Sequence, residues 1–98
     1  MKVWKKLLTG IRSFLRRPKE RSVYAVTGGQ FLGEFFLYME QKDDMMCFLS
    51  LPHMKVRSIP VDKFYYGVEN KILDNIQKVP RSVFILCQKQ YIKNRSNV

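Results

Sequence analysis

The sequence predicts an α+β fold: a small antiparallel sheet of three or four strands, with an N-terminal amphipathic helix and C-terminal helices. Three observations predict it. Stretches rich in β-branched and aromatic residues are punctuated by Gly28-Gly29 and Lys42-Asp43-Asp44, as in a meander of strands joined by turns. Apolar residues recur at helical spacing over residues 2–17 and again over 68–79. The 98 residues, 46% of them hydrophobic, suffice for one small core without disulfides or metals and are too apolar for a disordered chain. The organisation expected is a basic amphipathic helix over 1–17, a charged connector over 18–21 and a single small α+β domain over 22–98.

Each element has its own signal. Over residues 2–17, Val3, Trp4, Leu7, Leu8, Ile11, Phe14 and Leu15 fall within an arc of about 140° on a helical wheel. Lys2, Lys5, Lys6, Arg12, Arg16 and Arg17 fall opposite. Pro18 ends the helix, because the residue before a proline is pushed out of the helical region. Ser22 to Thr27 reads as a first strand. Phe31 to Gln41 reads as a second, with Phe35, Leu37 and Met39 on one face and Glu34, Phe36, Tyr38 and Glu40 on the other. Met45 to Leu51 is an apolar run that suits an interior strand, and Pro52-His53 ends it. Met54 to Ile59 fits an edge strand, where Lys55 and Arg57 discourage further pairing. Asp62 is placed to cap a short turn through Phe64 and Tyr65, and Gly67 separates that turn from a helix over Val68 to Val79. Arg81 to Asn94 is read as a final helix on the spacing of Val83, Phe84, Cys87 and Tyr91, although Val83 to Leu86 also fits a strand.

The formal net charge is +10. Residues 1–21 carry eight basic side chains against the single acid Glu20, whereas residues 22–98 carry ten against seven. One fifth of the chain therefore holds most of the excess, which points to an anionic partner met by that segment. The basic N-terminus is a poor secretory signal, since Lys5, Lys6 and Arg12 interrupt any apolar region and no small-residue cleavage site follows. Two cysteines 40 residues apart make neither a disulfide framework nor a CxxC motif. A cytoplasmic location, membrane-peripheral in one reading below, is the expectation. No apolar run approaches the roughly 20 residues needed to cross a bilayer.

Chemistry-bearing residues are scattered. His53 is the only histidine, and with Cys47 and Cys87 far apart the chain lacks the clustered ligands of a zinc site. Gly28-Gly29-Gln30-Phe31-Leu32-Gly33 lacks the order of a dinucleotide fingerprint and leads into a strand, so it is read as a turn. Asp43 and Asp44 sit at a hairpin tip and form no acid–base pair. No catalytic residue, cofactor, metal or small-molecule substrate is implied. Among the aromatics, Phe36, Tyr38, Tyr65 and Tyr66 are the candidates for exposure and for stacking on bases.

The segment Phe48-Leu-Ser-Leu-Pro-His-Met-Lys-Val-Arg-Ser-Ile-Pro-Val-Asp-Lys-Phe64, with Cys87-Gln-Lys-Gln-Tyr91, resembles small accessory proteins of large tailed phages over roughly residues 23–94. The resemblance implies action on host or phage machinery, in the host cytoplasm, and no particular activity.

The expected function is non-enzymatic binding of nucleic acid or a nucleoprotein assembly. Lys5, Arg12, Arg16, Arg17, Lys19 and Arg21 would meet phosphates while Trp4, Leu7, Leu8, Ile11, Phe14 and Leu15 dock on the sheet. Two alternatives use the same helix. It lies on an anionic membrane surface, with Trp4 near one end and the lysines and arginines at the headgroups. Or it inserts its apolar face into a groove of a partner protein, as an adaptor or inhibitor.

Overall fold

The computed structural model describes residues 18–96, which form a five-stranded antiparallel sheet and two helices. The elements run β1 (Ser22–Val26), β2 (Phe35–Lys42), β3 (Met45–Leu51), β4 (Lys55–Pro60), α1 (Val61–Glu69), β5 (Leu73–Lys78) and α2 (Arg81–Ser96). The spatial order is β4-β3-β2-β1-β5. The first four strands are a meander. α1 then carries the chain across one face so that β5 pairs antiparallel with β1 at the far edge.

Side-chain alternation makes two cores. On the α1 face, Tyr24, Val26, Phe36, Met46, Phe48 and Leu73 pack with Phe64. Phe48 stacks on Phe36 (centroids 5.2 Å apart) and on Phe64 (5.7 Å), while Tyr24 meets Phe64 edge-on at 5.3 Å. On the opposite face, Val23, Leu37, Cys47 and Leu49 pack with Val79 and with Phe84, Cys87 and Tyr91 of α2. Each central strand is thus buried on both sides, which explains why β3 is apolar at every position but Ser50.

This architecture corrects the expected fold class in several places. The sheet has five strands rather than three or four, and the fifth lies inside the segment expected to be helical. The helix expected over 68–79 is instead the end of α1 followed by β5. α1 runs through Gly67 and stops at Glu69. The Lys71 N–H donates to the Val68 carbonyl and the Ile72 N–H to the Gly67 carbonyl, the paired bonds of a Schellman motif. Lys71 takes the left-handed conformation there (φ 58), a position where glycine or asparagine is the usual signal. Asp62 lies within the first turn of α1, its carboxylate accepting the Lys63 N–H, and Pro60 precedes the helix. The second strand starts at Phe35, because Gly29 and Gly33 at positive φ keep the preceding loop coiled. A single helix, α2, follows Pro80. The N-terminal helix expected over residues 1–17 lies outside the described residues, and both described helices come after β4.

The face assignment of β2 also changes. The register slips between Tyr38 and Glu40, so that Tyr38 opposes Phe48 but Glu40 opposes Cys47. Met39 is the extra residue of a bulge. Glu40 therefore leaves the face of Phe36 and Tyr38 and points to the α2 side.

Candidate anionic-partner surface

The connector meets the end of the sheet. The Ser22 N–H donates to the Lys19 carbonyl (3.1 Å), the Val79 N–H donates to the Arg21 carbonyl (3.0 Å), and Ser22 opposes Lys78 across the β1–β5 pair. Arg21 takes a positive φ of 67 as the chain turns into β1. Lys19 and Arg21 are thereby brought beside Lys78 and Arg81, residues some 60 positions away in sequence. Arg81 opens α2, whose first turn holds no acid. The positive end of the helix dipole adds to the same sign. Lys19, Lys78 and Arg81 are exposed and Arg21 is half-buried. None of the four pairs with a carboxylate among the described residues.

Lys19 and Arg21 are thus the sequence-predicted phosphate ligands that the structure places. Lys5, Arg12, Arg16 and Arg17 lie outside the described residues, as do Trp4, Leu7, Leu8, Ile11, Phe14 and Leu15. Lys78 and Arg81 carry no local signal of this role, because only the pairing of β5 with β1 brings them here and the spacing over 68–79 predicts a helix. Of the aromatics proposed for stacking, Tyr66 is exposed, Tyr38 and Tyr65 are half-buried, and Phe36 is buried in the α1-side core. Phe36 is withdrawn from that role.

Two other basic residues are neutralised internally. Glu34 accepts the Arg57 Nε–H (3.0 Å) and Nη2–H (3.2 Å) and a hydrogen bond from the Ser50 hydroxyl, while the Arg57 guanidinium lies 4.5 Å from the centroid of Phe31. Glu40 accepts the Tyr91 hydroxyl (2.7 Å) and Arg95 Nη1–H (2.8 Å). Glu34 ties the start of β2 to β3 and β4, Glu40 ties β2 to α2, and the two do not resemble an acid–base pair. Burial raises the Tyr91 hydroxyl pKa, as does its bond to Glu40. Burial likewise pushes up the Cys87 thiol. Neither group is activated as a nucleophile. Among the described residues no three His, Cys, Asp or Glu side chains are grouped to hold a metal, and no helix is long and apolar enough to cross a membrane.

Glu34 gives a pH prediction. Desolvation opposes its charge, but the bonds from Ser50 and Arg57, the Arg57 charge and the nearby His53 outweigh it and hold the carboxyl pKa below its ordinary value. A depressed folded-state pKa contributes stability above the unfolded carboxylate range, and that contribution is lost as pH falls through the folded value. Glu34→Gln is expected to lose on the order of 1 kcal/mol at neutral pH. The deficit should shrink below about pH 4, the unfolded carboxylate range. Urea unfolding at neutral and acidic pH reads it, and a deficit independent of pH would contradict the assignment.

No family model, no curated protein and no solved structure matches the chain.

Proposed function

We propose that the chain acts by binding nucleic acid, alone or within a nucleoprotein assembly, through a cationic surface. Lys5, Arg12, Arg16 and Arg17 begin it, and Lys19, Arg21, Lys78 and Arg81 continue it. The observation that carries the reading is the meeting of the last four at one corner without a carboxylate partner, at the point where the most basic stretch of the chain joins the sheet. Unpaired, solvated cations on one patch release phosphate counterions when they meet a polynucleotide. Nothing about such a patch reads base edges, so binding would be strongly salt-dependent and weakly sequence-specific.

Titrating a fluorescent duplex and a fluorescent single strand over a range of salt tests the reading. The full chain is expected to bind with a steep dependence of log K on log salt. Changing Lys19, Arg21, Lys78 and Arg81 together to glutamine should flatten the slope for duplex by about three to four, at about 0.9 per lost phosphate contact. An unchanged slope would remove this corner from the site. Binding to anionic vesicles, with none to either nucleic acid, would replace the reading with the membrane alternative.

A further inference from the structure

The α1 face carries a second feature unrelated to the basic corner. A groove of ≈ 310 Å³ opens between α1, the loop from Thr27 to Glu34 and the start of β5. Its floor is apolar: Phe36 and Leu73 are both buried beneath it. The space exists because side chains are missing. A Cβ on Gly28 would meet nothing closer than Ile72 at 3.8 Å, and one on Gly29 would meet nothing within 4 Å. Gly67 closes the other side, its Cα so near Leu73 that a Cβ there would lie 3.0 Å from Leu73 Cδ1. An apolar hollow left uncovered by the described residues forgoes burial worth about 25 cal/mol per Å².

The polar side chains of the lining, Gln30 and Tyr66, can donate or accept, so the charge at the mouth is set by Lys63. Lys63 is the only charged residue lining the groove among the described residues. It is exposed and pairs with no carboxylate among the described residues. The adjacent carboxylate, Asp62, accepts the Lys63 backbone N–H. The loop adds donors. Leu32, Gly33 and Glu34 N–H groups are taken by carbonyls of the loop and of β1, whereas those of Gly28, Gly29, Gln30 and Phe31 donate to no carbonyl among the described residues. An ammonium and a turn of free amides beside an apolar trough favour a ligand with a negative head and a hydrocarbon body.

We infer that this groove binds a small amphipathic carboxylate, a medium-chain aliphatic acid, with its chain over Phe36 and Leu73 and its carboxylate at Lys63 and the Gly28–Phe31 amides. The size of the hollow, at the low end of ligand pockets, selects a small molecule in solution over a peptide or a lipid bilayer. The inference is independent of nucleic-acid binding, because Lys63 and the loop lie apart from the Lys19–Arg81 corner in the sheet.

Calorimetric titration of the full chain with decanoate and with decanol tests it. Saturable binding of decanoate is expected. Lys63→Gln, an exposed change that leaves the core intact, should weaken decanoate by about 5- to 10-fold, the effect of one charge-assisted contact, and leave decanol unchanged. Gly28→Leu places a side chain in the hollow without requiring a left-handed backbone and should abolish binding of both, with unfolding by urea confirming that the variant is folded. Absence of saturable decanoate binding to the native chain would overturn the inference. So would equal decanoate affinity in the native and Lys63→Gln proteins, or undiminished binding in folded Gly28→Leu.

Discussion

Replacing Phe48 with alanine is expected to lower the free energy of unfolding by about 3–5 kcal/mol, the range for large aromatic deletions in well-packed cores. Phe48 is completely buried in an interior strand and stands at the centre of the α1-side cluster. Its ring stacks on Phe36 and Phe64 and meets Tyr24 and Tyr38 edge-on. Alanine removes the ring and leaves four aromatic neighbours facing a void they are too stiff to fill. Total stabilities of natural domains are about 5–15 kcal/mol, so this one change removes a large share. Phe48→Leu keeps most of the volume and should cost distinctly less. Urea unfolding of the two variants decides the matter. A loss below about 1 kcal/mol for alanine would mean that the ring does not organise this face.

The aromatic cluster also marks where sequence patterns were informative. The run Met45 to Leu51 was legible as an interior strand because residues buried on both faces need no polar alternation, and its turn was legible because Asp43, at φ 55, adopts the left-handed conformation that aspartate tolerates. The edge position of β4 was legible from Lys55 and Arg57. α2 was only half legible: the spacing of Phe84, Cys87 and Tyr91 fits a helix, but Val83 to Leu86 fits a strand equally. The rest depended on tertiary facts. β5 keeps only Leu73 buried, and Asp74 to Lys78 are exposed, so the strand carries no apolar alternation and is held by its pairing with β1. Its neighbours Val68, Ile72 and Val79 supplied a helical period by coincidence. The stop at Lys71 lacks a glycine. Glu40 was assigned to the wrong face because a bulge at Met39 leaves no trace in hydropathy. The basic corner was half legible: Lys19 and Arg21 stood out by local charge, whereas Lys78 and Arg81 join them only through the β5 crossover.

Leu49→Ala is the complementary test, because residue 49 follows Phe48 but points to the other face. Leu49 is fully buried among Val23, Leu37 and Cys47 on the sheet and Phe84, Cys87 and Tyr91 on α2. Its truncation should cost about 2–5 kcal/mol, again dependent on how far the surroundings collapse. A loss that large at both of two consecutive positions is what a sheet covered on both sides requires; a sheet with one open face would show it at only one. The two cores share no buried member. Milder changes therefore permit a sharper measurement. Phe48→Leu and Leu49→Val, combined, should lower stability by the sum of the single losses to within about 0.5 kcal/mol, as for sites without common partners. Coupling well above that value would mean that β3 shifts as a unit when either face is loosened, and that α1 and α2, though they never meet through side chains of one cluster, sense each other through the strand between them.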